Sequence, residues 1–393
     1  MDKKLMTKLT HLGDKIPAWE ISNPKIAPIV MSAAYSFDEP DMLEAVCNNT
    51  KEAYEYGRVS NPTNDCLREI LAGIDEGEAA QVYSSGMAAI SMAIMTHVKT
   101  GDHIIANSIV FGGSYKLLSK ELQDKWGVEV TFVNFMKEDI EPYFKPNTKL
   151  VYTETIANPT IIVTDLRKIS QIAHKHNCLV IVDNTFATPV VCQPLTLGVD
   201  IVVYSATKFM NGHSDILAGA IVANKKSIIQ AIHPVGHIYG PTMSPFDAWL
   251  LTRSLRTLEL RVIQHSKNAM KLAEFCEGHK KVERILYPGL ASAPDHKIAS
   301  EIFNNGLYGG MLSIDLGSFE RVKEFVRKLK LTQLVASLGC LTTTVSDTRT
   351  SHSGMSAEER EKAGIADGII RVSAGLENID DIITDFDTAL NKL

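Results

Sequence analysis

Asp200-Ile201-Val202-Val203-Tyr204-Ser205-Ala206-Thr207-Lys208-Phe209-Met210-Asn211-Gly212-His213 is the stretch on which the fold turns. A β-branched apolar run of strand type breaks into Ser-x-Thr-Lys and a Gly-containing turn, so two hydroxyls and an amine emerge together at a strand end. In open α/β sheets ligands sit at the carboxyl ends of strands. A lysine leaving an apolar shelf is desolvated, which lowers its pKa and favours nucleophilic or Schiff-base chemistry. Taken alone, the stretch fits a surface lysine after a strand equally well. Upstream, Leu179-Val180-Ile181-Val182 is a short continuous apolar run of buried-strand type that delivers Asp183-Asn184-Thr185 at its end. An acidic residue there is costly to bury without a partner, although an Asp capping a turn after a strand is common.

A lysine for an aldehyde and an aspartate for a protonated pyridine nitrogen are the pair that pyridoxal phosphate uses. Asp183-Asn184-Thr185 followed by Ser205-Ala206-Thr207-Lys208-x-x-Asn211-Gly212-His213-Ser214-Asp215 resembles the cystathionine and methionine (Cys/Met) metabolism family of pyridoxal-phosphate enzymes, and the resemblance covers nearly the whole chain. It implies an α/β protein of the type I pyridoxal-phosphate transferase fold. That fold has a large, doubly wound, mostly parallel sheet domain and a smaller C-terminal α+β domain. It implies that Lys208 holds pyridoxal 5'-phosphate and shuttles protons, and that Asp183 meets the ring nitrogen.

Composition sets the outer bounds. The 393 residues, 45% hydrophobic, describe a globular chain large enough for two domains. A net charge of -6 offers no electrostatic case for nucleic acid or an anionic membrane. Cys47, Cys66, Cys178, Cys192, Cys276 and Cys340 are scattered without a Cys-x-x-Cys pair, so neither a disulfide framework nor a zinc site is suggested, and reduced cytoplasmic thiols are expected. The N-terminus lacks a signal-peptide core, and no run approaches transmembrane length.

Residues 1–60 read as an irregular arm interrupted by Pro17, Pro24, Pro28 and Pro40. In the resembled family this arm packs against a neighbouring subunit, which implies an oligomer with a dimer as minimal active unit and a homotetramer as the expected assembly. Tyr54-Glu55-Tyr56-Gly57-Arg58-Val59-Ser60-Asn61-Pro62-Thr63 matches the family's Tyr-x-Arg-x-x-Asn-Pro-Thr. There the equivalents of Tyr56 and Arg58 reach across the dimer interface to the cofactor phosphate, a task suited to the planar fork of arginine. Residues 61–245 are the expected cofactor-binding domain. Within it Val82-Tyr83-Ser84-Ser85-Gly86-Met87-Ala88-Ala89-Ile90 reads as a strand, a small-residue turn and a helix start. The free N–H groups of Ser85, Gly86 and Met87 form a candidate phosphate cradle, with Ser205 and Thr207 opposite.

The next motif departs from the family. Asn107-Ser108-Ile109-Val110-Phe111-Gly112-Gly113-Ser114-Tyr115 places Phe111 where relatives have a tyrosine that stacks on the cofactor ring and transfers a proton. Phe111 can stack but holds no proton to transfer. A helix beginning at Phe111 would put Tyr115 one turn on, which makes it a candidate substitute as well as a candidate core tyrosine. Gly113 falls where methionine γ-lyases characteristically carry a cysteine. Leu150 to Glu154 is a strand candidate ending in Asn158-Pro159, and by resemblance Asn158 contacts cofactor or substrate carboxylate. Asp165 to His176 reads as a helix leading into the Asp183 strand, and the alternation argues for a parallel, helix-covered sheet.

Residues 246–393 are the expected small domain, opened by one long amphipathic helix from Ser244-Pro245 towards Gly278, with strands at Met311–Leu316 and Ile369–Ser373 and a final helix after Asn378. Ser337-Leu338-Gly339 and Ser351-His352-Ser353 resemble family motifs. Between them Cys340-Leu341-Thr342-Thr343-Thr344 lacks the glutamate that meets the distal ammonium of cystathionine in relatives, while Arg349 offers a cation for an anionic tail. Arg371 in Ile370-Arg371-Val372-Ser373 would grip the α-carboxylate of an amino acid by a bidentate pair, and Ser337 joins it as a substrate contact. The resulting expectation is γ-elimination of the methionine γ-lyase type, giving a 2-oxo acid and ammonia. The alternatives are γ-replacement by an O-acylhomoserine sulfhydrylase or cystathionine γ-synthase, elimination of an O- or N-linked γ-substituent, β-elimination, and a non-catalytic cofactor-binding regulator.

Overall fold

The computed structural model describes residues 4–13, 24–351, 356, 358, 360 and 365–393. Short β-branched runs separated by helical stretches build a seven-stranded sheet from β1 (Ala79–Tyr83), β2 (His103–Asn107), β3 (Glu129–Val133), β4 (Thr148–Glu154), β5 (Leu179–Asp183), β6 (Ile201–Tyr204) and β7 (Gly219–Ala223). The strand order is β1-β7-β6-β5-β4-β2-β3. All neighbours pair in parallel except β7, which is antiparallel to both β6 and β1. β2, β5 and β6 are buried along almost their whole length, and two apolar clusters cover the two faces, as a parallel sheet sheathed by helices requires. The expected mostly parallel, doubly wound sheet is present.

A second sheet contains β8 (Arg284–Leu286), β9 (Met311–Asp315), β10 (Gln333–Leu334), β11 (Thr344–Asp347) and β12 (Ile369–Ser373), in the order β10-β11-β12-β9-β8. The helices Phe319–Lys328 and Ile379–Leu390 pack on it through Phe325 and Phe386, whose rings meet edge to face at 5.3 Å. The long helix expected after Pro245 is two helices, Pro245–Leu255 and Leu258–Glu277. An unbroken helix would pair the Ser254 carbonyl with the Leu258 N–H. That carbonyl instead accepts from the Thr257 N–H at 3.3 Å and from Arg261 Nη2 at 2.9 Å. The division between the cores also lies later than residue 246. Ala248, Leu251, Leu255, Leu258 and Val262 belong to the large-sheet core, and Ala269, Leu272 and Ala273 to the small one.

Part of the N-terminal arm lies on its own chain. The helix Leu5–His11 buries Leu9 in the large-sheet core, and the Leu9 carbonyl accepts from Arg256 Nη1 at 2.5 Å. Among the described residues no helix is long and apolar enough to cross a membrane.

Candidate active site

Parallel pairing sets three strand ends side by side, with Glu154 of β4 beside Asp183 of β5 and β6 next to β5. The chain leaves β6 through Ser205 to Lys208, so the carboxyl edge of the sheet presents two carboxyls and an amine together. They open on a cleft of about 490 Å³, a size that takes a cofactor and a small substrate. Ser85, Gly86, Met87, Phe111, Asn158, Ser205, Thr207, Ser337 and Arg371 line the same cleft.

Lys208 is largely buried and donates from Nζ to Ser337 Oγ at 2.8 Å. Burial lowers its pKa, and the nearby Arg371 guanidinium lowers it further. Both effects enlarge the fraction present as free amine near neutrality. The turn that carries it is clamped from below: Arg261 donates to the Phe209 carbonyl at 2.6 Å and the Met210 carbonyl at 3.0 Å. Gly212 sits at φ 76°, and a Cβ there would meet Arg261 Nη1 at 2.1 Å, so this turn needs glycine for both conformation and space.

Asp183 is buried, and one of its oxygens, Oδ1, accepts the Thr185 N–H at 2.9 Å. Burial pushes its carboxyl up. Glu154, one strand away, is raised well above the usual range by burial and then by the charge of Asp183. Its Oε1 accepts the Phe111 N–H at 2.6 Å and its Oε2 the Asn158 N–H at 3.1 Å. Arg371, on β12, is buried and donates from Nη1 to Asn158 Oδ1 at 3.0 Å. Burial brings its pKa down to about 10, so it remains a cation near neutrality in a setting that favours an anionic partner.

The helix Gly86–Met95 starts at the cleft with Ser85 as its cap, whose Oγ accepts the Ala88 N–H at 3.2 Å. A Cβ at Gly86 would lie 2.6 Å from Ser205 Cβ, so glycine lets the helix start abut the Ser-x-Thr-Lys turn. Thr207 Oγ1 accepts the Ala218 N–H at 2.9 Å, and the Ser205 N–H donates to Thr185 Oγ1 at 2.8 Å. The residues fit pyridoxal phosphate on their own chemistry. A helix N-terminus flanked by hydroxyls suits a phosphate, the buried Asp183 suits a pyridinium, and a desolvated amine suits an aldehyde.

Several expected groups stand elsewhere. Tyr115 does not line the cleft, because the helix begins at Gly112 rather than Phe111 and the Tyr115 ring packs against Phe132 at 4.8 Å. Lys116 lines it instead. Tyr56 and Arg58 do not line their own chain's cleft. Arg58 lies over the Tyr56 ring at 5.4 Å and donates to the His237 carbonyl at 2.8 Å. Arg349 stacks on Phe319 at 4.0 Å and pairs with Asp367, so its guanidinium is already engaged. Cys340 donates to the Thr342 carbonyl at 3.2 Å outside the cleft lining, and His352 and Ser353 lie outside the described residues. Glu154, Thr185 and Arg261 were not singled out from the sequence. Only Glu154 carried a signal, as an acidic residue ending an apolar strand, the same sign that marked Asp183.

The chain matches the family described as "Cys/Met metabolism PLP-dependent enzyme" over residues 7–391. It is 41% identical to an L-methionine gamma-lyase of Fusobacterium nucleatum subsp. polymorphum, over 93% of each chain. It is 42% identical to a cystathionine gamma-lyase of Bacillus subtilis, over 86% of this chain and 89% of that one. A solved Campylobacter jejuni structure carrying N'-pyridoxyl-lysine-5'-monophosphate superposes with a TM-score of 0.94 at 30% identity, covering 99% of this chain and all of the other.

Proposed function

Because the chain belongs to the Cys/Met metabolism family of pyridoxal-phosphate-dependent enzymes, we propose that it is a lyase that eliminates the γ-substituent of an amino acid, in the manner of a methionine γ-lyase. The observation that carries this reading is the convergence of Lys208, Asp183 and Arg371 on one cleft in a chain 41% identical to an L-methionine gamma-lyase. Pyridoxal phosphate, when bound, supplies an electron sink for negative charge developing on the substrate carbons. Ser85, Gly86, Met87, Ser205 and Thr207 hold its phosphate, and Asp183 its ring nitrogen. Arg371 binds the substrate carboxylate and fixes which bond faces the ring. Lys208, an amine of depressed pKa, would take the α-proton, hand it on to the cofactor side of the conjugate and so become a free amine again, and then take a β-proton, after which the γ-substituent departs with its bonding electron pair.

Phe111 in the cleft wall favours a second reading, in which the leaving group needs no proton from a phenol. An acylated homoserine meets that condition, by elimination or by replacement with a thiol. Assembly is part of the proposal: a cytoplasmic homotetramer with the dimer as its minimal active unit, in which Tyr56 and Arg58 of one protomer complete the phosphate site of its dimer partner.

The test is purified enzyme loaded with cofactor and offered methionine, homocysteine, cystathionine, cystine and acylated homoserines, with and without a thiol. Thiol-independent 2-oxobutanoate is the expected product. Product only in the presence of thiol makes the protein a synthase, pyruvate makes it a β-lyase, and no product leaves a cofactor-binding regulator.

A further inference from the structure

We propose that Glu154 is a positioning residue that ties the aromatic wall at Phe111 to the carboxylate-binding Arg371, so that the two substrate-facing walls of the cleft are set as one unit. The inference rests on the lyase reading above for its functional consequence. Its basis is a continuous chain of hydrogen bonds. One Glu154 oxygen accepts the Phe111 N–H at 2.6 Å, and the other accepts the Asn158 N–H at 3.1 Å. Asn158 Oδ1 then accepts from Arg371 Nη1 at 3.0 Å. The neighbouring Pro159 carbonyl accepts from Ser313 Oγ at 2.7 Å, and Ser313 lies opposite Arg371 in the register of β9 with β12. The Asn158-Pro159 segment is therefore gripped by the small sheet on one side and by a single carboxyl of the large sheet on the other.

The chemistry at position 154 calls for a carboxyl with both oxygens accepting. Two backbone N–H groups converge on it, one per oxygen. A glutamine accepts from one and turns its own NH2 donor towards the other. An aspartate is one methylene shorter and loses reach to one of the two. The strand end itself does not depend on the carboxyl, because the Glu154 carbonyl is held separately by Thr164 Oγ1 at 2.8 Å.

The test compares Glu154→Ala, Glu154→Gln and Asn158→Ala with the parent holoenzyme, using two readouts. One is hydrogen exchange at the Phe111 and Asn158 amides. The other is the ratio of kcat/KM for an amino acid to that for its carboxamide. Glu154→Ala removes the shared acceptor and accelerates exchange at both amides by about tenfold or more, Glu154→Gln does so at one of them, and in Glu154→Ala the preference for carboxylate over carboxamide falls by a similar factor. Asn158→Ala lowers that preference while leaving exchange at Phe111 unchanged, which places Asn158 downstream of Glu154. In Glu154→Ala, acceleration at one amide only, or an unaltered carboxylate preference with both amides released, overturns the proposal. General destabilisation lowers activity on both substrates alike and leaves their ratio unmoved. Failure of the lyase reading is visible separately, as absence of 2-oxo acid from the parent enzyme.

Discussion

Phe111→Tyr returns a phenol to a wall that lacks one. Phe111 is 38% exposed and lines the cleft, so an added hydroxyl enters open space rather than a packed core. The main chain there is held by the 2.6 Å bond to Glu154, which keeps the backbone in place through the substitution. The magnitude follows from the leaving groups. A thiol ionises near about pH 8.5 and a carboxyl near about pH 4, so a departing thiolate is the stronger base and gains more from a proton donor. A phenol, at about 10, is matched to the thiolate. A positioned general acid contributes about 10² to 10⁴ in rate. The kcat on a thioether should therefore rise by at least about a hundredfold, or about 2.7 kcal/mol of barrier. On an acylated homoserine it should change by less than about threefold. The assay is release of 2-oxobutanoate at saturating methionine and at saturating acylated homoserine, for parent and variant, reported as the ratio of the two gains. Equal gains on both substrates, or no gain on the thioether, would refute the reasoning that the missing phenol limits departure of sulfur.

Arg371→Lys exchanges a fork already bonded to Asn158 for a single ammonium, so KM for the amino acid should rise by about tenfold or more with a smaller change in kcat; an unchanged KM removes Arg371 from carboxylate binding. Burial raises the Asp183 carboxyl above its ordinary value, so in cofactor-free protein its contribution to stability is present at low pH and is lost as pH rises through the folded value. Thermal melts of cofactor-free Asp183→Asn and parent should then diverge in the variant's favour as pH rises from about 4 to neutrality, and a constant difference contradicts the burial argument. Gly86→Ala places a Cβ 2.6 Å from Ser205 Cβ and 2.8 Å from its Cα, both part of the packed turn. The expected cost is about 1–3 kcal/mol with weakened retention of pyridoxal phosphate, seen by melting and by dialysis, and a normal melt with full retention counts against it.

The sheet was legible because parallel strands buried on both faces leave continuous apolar runs, and each run that ended in a polar cluster delivered a cleft residue. Asp183 and Lys208 announced themselves in this way, and Arg371 did so as a cation inside the apolar strand Ile369–Ser373 of the smaller sheet. Glu154 ended a run too, but its task is to bond the backbones of Phe111 and Asn158, and main-chain partners leave no trace in residue types. The break after Leu255 was hidden for a related reason. It depends on Arg261 reaching the Ser254, Phe209 and Met210 carbonyls, the last two some fifty residues upstream, and the local pattern stays amphipathic through the break. Tyr115 illustrates the opposite error. Its spacing from Phe111 suggests a shared face, but Phe111 adopts a non-helical conformation (φ -48°, ψ 136°) just before the helix, so the i, i+4 rule does not apply across that start.

Phe111 and Gly113 read in the sequence as two separate departures from the methionine γ-lyase pattern, and packing joins them. A Cβ at Gly113 would lie 2.6 Å from Phe111 Cε1 and 2.9 Å from Met87 Sδ. The Phe111 ring thus occupies the volume into which a residue 113 side chain would project, and Met87 closes the other side. Adding a cysteine at 113 to this chain therefore displaces the ring and disturbs Met87 in the cleft wall, so it tests ring placement rather than sulfur chemistry. Replacing Phe111 by tyrosine leaves that packing intact and changes only the proton supply. The order of substitution follows: Phe111→Tyr isolates the acid, and Gly113→Cys becomes informative only in its background. If Gly113→Cys alone raised thioether turnover in the presence of Phe111, the ring would have to tolerate displacement, and the coupling inferred from the 2.6 Å approach would be wrong.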